Sequence, residues 1–157
     1  MDRKSKDFIQ PIWAALIPLA LAAVACTVPW LMAHAPELGF TLQRGFALVC
    51  HQNAERCFIL FGGAVCVCAR CLGIYLGAAA GLLFRVSNRL AWRLFVAAVA
   101  ANLADGLSEF AGLHGNWMLA RFALGVALGM AGALVVSSSV NVSAENPANS
   151  TRGLQQA

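Results

Sequence analysis

Five of the six cysteines fall between positions 50 and 71, as Cys50-His51-Gln52, Cys57 and Cys66-Val67-Cys68-Ala69-Arg70-Cys71. The sixth, Cys26, lies in an alanine- and valine-rich stretch and reads as a small buried hydrophobe. Packing alone does not cluster five thiols in this way. The Cys68–Cys71 pair is a CxxC at the start of a helical pattern, and that spacing serves three chemistries. It can place two thiolates on one tetrahedral metal, with Cys50 and His51 completing the set. It can form a redox dithiol, because a helix N-terminus and a neighbouring cation, here Arg70, lower a thiol pKa. It can also be a structural disulfide of an oxidising compartment.

A second group is polar and lies in an apolar segment. Asn102, Asp105 and Glu109 are spaced i, i+3, i+7 and share one helical face. Ionisable side chains inside a membrane are expensive unless paired, and they mark either an ion pair that sets helix register or a functional pathway. Arg121 is the partner expected from a short antiparallel connection. Asp105, Glu109 and Arg121 are therefore candidates both for a structural pair and for a proton or substrate site beneath the cysteines, including that of a small transporter or channel subunit. Tyr75, the only tyrosine, reads as a packing residue, and His34 and His114 as interface residues.

The elements that carry these groups are lipid-facing helices. Hydrophobic residues make up 60% of the 157, only 11% are charged, and the mean hydropathy is +0.71. Soluble domains carry about 25% charge. A spanning helix needs about 20 apolar residues, and four runs qualify, at residues 11–35, 67–86, 94–113 and 117–136. The first is too long for the apolar core of a signal peptide. The expected fold is thus all-α: one transmembrane domain over residues 1–136, a bundle of about four helices. The segment at residues 36–65, broken by charge but still partly apolar, is expected to be interfacial or re-entrant between the first two spans, with a turn at Gly62-Gly63. Residues 137–157, rich in Ser, Asn and Gln, read as a disordered cytoplasmic tail. Gly73, Gly77 and Gly81, like Gly125 and Gly129, form small-residue stripes that permit close helix approach, and either stripe offers a face for a homo-oligomer.

The formal net charge of +4 sits near span ends and is a topology signal, so a nucleic-acid partner is not expected and the bilayer is. Arg3, Lys4, Lys6, Arg85, Arg89, Arg93 and Arg152 fall on one side; Arg44, Arg56 and Arg70 fall on the other. The bias places both termini in the cytoplasm and the cysteines outside a bacterial inner membrane.

Taken together, Cys50-His51-Gln52, Glu55-Arg56, Phe61-Gly62, Val67-Cys68-Ala69-Arg70-Cys71 and Gly73-Ile74-Tyr75-Leu76-Gly77 resemble the uncharacterised membrane proteins called domain of unknown function 2085. Asp105-Gly106, Arg121, Gly125 and Gly129 extend the likeness, which runs over about residues 45–132. That family's pattern has no cysteine at the positions of Cys57 and Cys66, so the resemblance favours Cys50, His51, Cys68 and Cys71 as the ligand set. It implies an architecture and no activity. The leading expectation is a metal-binding membrane protein, zinc before iron. The alternative is a thiol-disulfide oxidoreductase using Cys68 and Cys71, similar in outline to the quinone-linked disulfide-forming enzymes of bacterial membranes.

Overall fold

The computed structural model describes residues 3–112, 115 and 117–145; the expectations for His114 and for residues 146–157 lie outside them. The chain is mostly helical. Helix α1 (Arg3–His34) continues through Pro18 and Pro29. Near its end His34 stacks on Trp30, with centroids 4.4 Å apart, and its Nδ1 donates to the Trp30 carbonyl at 2.9 Å. The next helix begins at a proline, which explains the break. Pro36 forces Ala35 out of the helical region, to φ −145° and ψ 72°, and then starts α2 (Pro36–Ala47) where its missing N–H is no loss. Glu37 in the first turn of α2 and Arg44 in the last complement the helix dipole, and Arg44 lies over the Phe40 ring at 4.5 Å. Gly39 lets α2 fold back on α1, because a Cβ there would come within 2.9 Å of the Met32 backbone nitrogen.

After α2 the chain makes a 3₁₀ turn (Ala54–Arg56), whose Glu55 N–H donates to Asn53 Oδ1 at 3.1 Å. A two-stranded hairpin follows, β1 (Ile59–Leu60) against β2 (Gly63–Ala64), antiparallel with Ile59 opposite Ala64. Its two loop residues, Phe61 and Gly62, both have positive φ, 51° and 79°. That is the geometry of a tight primed turn, so the turn falls at Phe61-Gly62, one residue before the expected pair. The hairpin rests on α1 where Gly63 meets Pro29.

Among the described residues three helices are long and apolar enough to cross a membrane: Trp13–His34 within α1, α4 (Asn88–Phe110), and Met118–Ser139 within α5 (Met118–Glu145). The run expected to span at residues 67–86 is a shorter helix, α3 (Ala69–Gly81), of 13 residues. At 1.5 Å per residue it is about 20 Å long, less than the ~30 Å hydrocarbon core. Helix α5 runs on through Ser137–Glu145, past the point where a tail was expected to begin.

The tightest contact is α3 on α5. A Cβ at Gly73, Gly77 or Gly81 would collide with the backbone around Phe122, Val126 and Met130, and one at Gly125 or Gly129 would collide with the carbonyls of Arg70 and Ile74. The two glycine stripes thus pack on each other in parallel within one chain. Helix α4 returns antiparallel to α5: Asn102 Nδ2 donates to the Leu124 carbonyl at 3.1 Å, and Ser138 donates to Asn88 Oδ1 at 3.2 Å. Leu94, Val96, Leu103 and Leu107 of α4 are exposed, as side chains that face lipid would be. The core is small-residue packing, with Ala22, Ala25 and Val28 of α1 against Val65, Cys66, Val67 and Leu72.

Candidate metal centre and its arginine cluster

The clustered cysteines from Cys50 to Cys71, with Asp105, Glu109 and Arg121, collect at one end of the bundle, where α1 ends and α3 and α5 begin. Cys50 arrives there because the chain turns out of α2, its N–H donating to the Phe46 carbonyl at 2.9 Å. Cys68 is the residue before α3, in extended conformation, and Cys71 lies in the first turn. The Sγ atoms of Cys50, Cys68 and Cys71 all lie within 4.8 Å of one another. Sulfurs sharing a tetrahedral zinc at about 2.3 Å stand roughly 3.8 Å apart, so small side-chain rotations would close the set on an ion. The Cys68 N–H already points at Cys50 Sγ, 3.2 Å away. All six cysteines are free thiols.

The remaining cysteines stand apart. Cys57 donates its S–H to the Asn53 carbonyl at 3.1 Å and Cys66 donates to the Ala25 carbonyl at 3.6 Å. Burial, reinforced by the neighbouring thiols, pushes Cys57 up to about 11; burial pushes Cys66 up to about 12. Both are neutral donors at neutral pH. Within the CxxC the pair splits. A hydrogen bond from Cys71 stabilises the Cys68 thiolate and lowers it to about 5, and the same bond with burial raises Cys71. His51 is exposed, and the converging ligand atoms are those of the three cysteines without it.

Beside the sulfurs lies an ionic cluster. Arg121, only 3% exposed, sets Nη2 2.5 Å from Glu109 Oε2 and Nε 3.9 Å from Asp105 Oδ2. Arg70 pairs with Asp105, and Arg56 Nη2 reaches Glu109 Oε1 at 2.7 Å. The Arg121–Glu109 contact is a close ion pair, and Arg121 Nε and Arg70 Nε are buried with no hydrogen-bond partner. Sequence reasoning paired the two acids with Arg121 alone; it counted Arg56 as an orientation charge, and Arg70 as an orientation charge and a cation beside the CxxC. The available signal was the mismatch of two acids to one cation on an apolar face. The fold-back of the 3₁₀ turn over α4, which brings Arg56 to Glu109, left no trace in the pattern.

Residues 50–135, more than half of the chain, match the model of a family described as predicted membrane proteins. The chain belongs to the domain of unknown function 2085 family. The matched region begins at Cys50 and takes in the whole sulfur and arginine cluster. An uncharacterised protein of Methanocaldococcus jannaschii is 33% identical over 94 residues, covering 54% of this chain and 58% of that protein. One of Methanothermobacter thermautotrophicus is 30% identical over 90 residues, covering 54% of this chain and 81% of its own length. The chain thus spans somewhat more than half of the first relative. No solved structure matches.

Proposed function

We propose that this member of the domain of unknown function 2085 family is a membrane metal-binding protein whose ion is held by Cys50, Cys68 and Cys71. The observation that carries the reading is the convergence of three free sulfurs within 4.8 Å, drawn from two separate elements. Three thiolates suit zinc, with iron the alternative. A three-ligand zinc site keeps a fourth position open, the pattern of sites that act on a bound group. Purified anaerobically in detergent, the protein is expected to carry about one metal ion per chain. The ion should be lost in Cys50→Ala, Cys68→Ala and Cys71→Ala and kept in Cys57→Ala and Cys66→Ala. Metal-free protein with a reducible Cys68–Cys71 bond would overturn this assignment.

A second reading, thiol-disulfide exchange, is favoured by the split of the CxxC into a stabilised Cys68 thiolate and a protonated Cys71. In that chemistry Cys68 attacks a partner disulfide, and Cys71 then displaces the reduced partner as the Cys68–Cys71 bond forms. Cys50, whose sulfur joins the pair, has no part in a two-cysteine exchange, and for that reason the metal reading ranks first.

For the membrane arrangement we propose four crossings, the second made by α3 together with residues 82–87. Gly73 of α3 lies beside Phe122 of α5, and Asn88, which begins α4, bonds Ser138. The segment between them runs nearly the length of α5. With both termini cytoplasmic by the positive-inside rule, the cysteine face would be outward, at a bacterial inner membrane.

A further inference from the structure

The arginine cluster encloses space as well as charge. A cavity of about 60 Å³ is lined by Arg56, Cys68, Arg70 and Arg121. Three guanidinium groups meet there, facing the two carboxylates of Asp105 and Glu109. Two of the three, Arg70 and Arg121, each keep a buried Nε with no hydrogen-bond partner, while Arg121 Nη2 is taken up by Glu109, and Arg121 is 3% exposed. A buried donor without an acceptor is costly, and more so when it is charged. Guanidinium groups lining a small void, with N–H groups to spare, are what an anion's oxygens or a halide need. The space is large enough for one small ion and too small for a lipid headgroup with its glycerol.

From this geometry we infer that the cavity between Arg56, Arg70 and Arg121 is a binding site for one small monovalent inorganic anion, a halide or a compact oxyanion such as nitrite or bicarbonate. The inference goes beyond the metal reading: the arginines and their unpartnered donors are present whether or not the sulfurs hold an ion, and the Cys68 thiolate lining the cavity offsets one of their charges. Because Cys68 lines both places, the anion site adjoins the metal site.

The test is direct binding to the full-length protein in detergent, stripped of metal and exchanged into a gluconate buffer. Chloride, nitrite and bicarbonate are titrated by calorimetry, with sulfate as the larger, divalent control. At least one of the three should bind saturably, and sulfate should bind more weakly. Arg56→Gln, at a half-exposed side chain, and Arg70→Gln should each weaken binding by about tenfold, the loss of one charge-assisted hydrogen bond. The double variant Arg121→Gln/Glu109→Gln removes a cation and its partner together, and should abolish binding while still folding. Cys50→Ala, which cannot assemble the three-sulfur set, should bind the anion as the parent does. Affinity unchanged in Arg56→Gln and Arg70→Gln, binding seen only after metal is added, or a cavity that takes up water alone would each overturn the proposal. Phospholipid phosphate copurifying at one per chain and displaced by none of the three anions would overturn it as well, in favour of a lipid.

Discussion

At the scale of single residues, the two kinds of cysteine differ in what surrounds them. Cys57 and Cys66 donate to carbonyls and are held protonated, whereas Cys68 receives a hydrogen bond from Cys71 and is held as thiolate. Metal ligation needs thiolates, so binding must expel whatever protons the ligands carry. At pH 7 the raised Cys71 still carries one, and metal binding is expected to release it. Affinity should fall as pH falls, and more steeply once pH drops through about 5, where Cys68 also protonates. Calorimetry with zinc in two buffers of different ionisation enthalpy measures this, and equal heats in both would contradict it. His51→Ala should keep its metal, because the exposed imidazole stands outside the converging sulfurs. The arginines differ by exposure. Arg56, with its side chain 45% exposed, is a surface partner, and Arg56→Ala should cost under about 1 kcal/mol. Arg121→Ala should cost more, yet less than the ~3–5 kcal/mol of a fully orphaned buried pair, because Arg56 stays on Glu109 and Arg70 on Asp105. Thermal unfolding in detergent ranks the two, and Arg121→Ala melting with the parent would remove the buried pair from the account. The sulfur site was largely readable from the chain, since CxxC with an upstream Cys-His has few bland explanations. The arginine cavity was not, since it depends on Arg56 reaching α4 from an irregular turn and on Arg70 reaching it from the first turn of α3, contacts that spacing along the chain does not encode.

At the scale of elements, α3 and α5 show what a single sequence hides. The glycine stripes at 73/77/81 and 125/129 are plain in the pattern, but spacing alone does not say whether a stripe meets another helix of its own chain or a second copy. The collisions that added Cβ atoms would make with Val126 and Ile74 answer that. Gly77→Leu or Gly129→Leu should therefore force α3 off α5 and abolish folded yield. Gly106→Ala, in α4 with open space around its Cα, should be neutral or stabilising by up to about 1 kcal/mol. Monodispersity in detergent reads both, and a well-behaved Gly77→Leu would mean that the helices do not touch there. The length of α3 was misread for a related reason. Hydropathy continues through Leu82, Leu83, Phe84 and Val86, while the helix ends at Gly81. Apolarity reports where lipid or core lies and does not report whether the backbone there is helical.

At the scale of the whole molecule, the question is how many times the chain crosses. Counting only helices of spanning length gives three crossings and puts the two ends on opposite sides. The packing argues for four. Helix α3 runs parallel to α5 from the level of Phe122 to that of Met130, and residues 82–87 then carry the chain on to Asn88 at the level of Ser138. If α5 spans, the stretch between the hairpin and α4 covers nearly the same depth, and the hairpin tip and the start of α4 must face opposite compartments. Phe61, 71% exposed at the tip, and Arg89, exposed in the first turn of α4, are suitable reporters. The reporters belong in a Cys68→Ser/Cys71→Ser background, since those two thiols are part-buried whereas Cys50, Cys57 and Cys66 are buried. With an impermeant maleimide on intact cells, Phe61→Cys should label from outside and Arg89→Cys only after lysis. Both sites labelled from the same side would return the count to three, and the reverse pattern would keep four crossings but place the cysteine face in the cytoplasm.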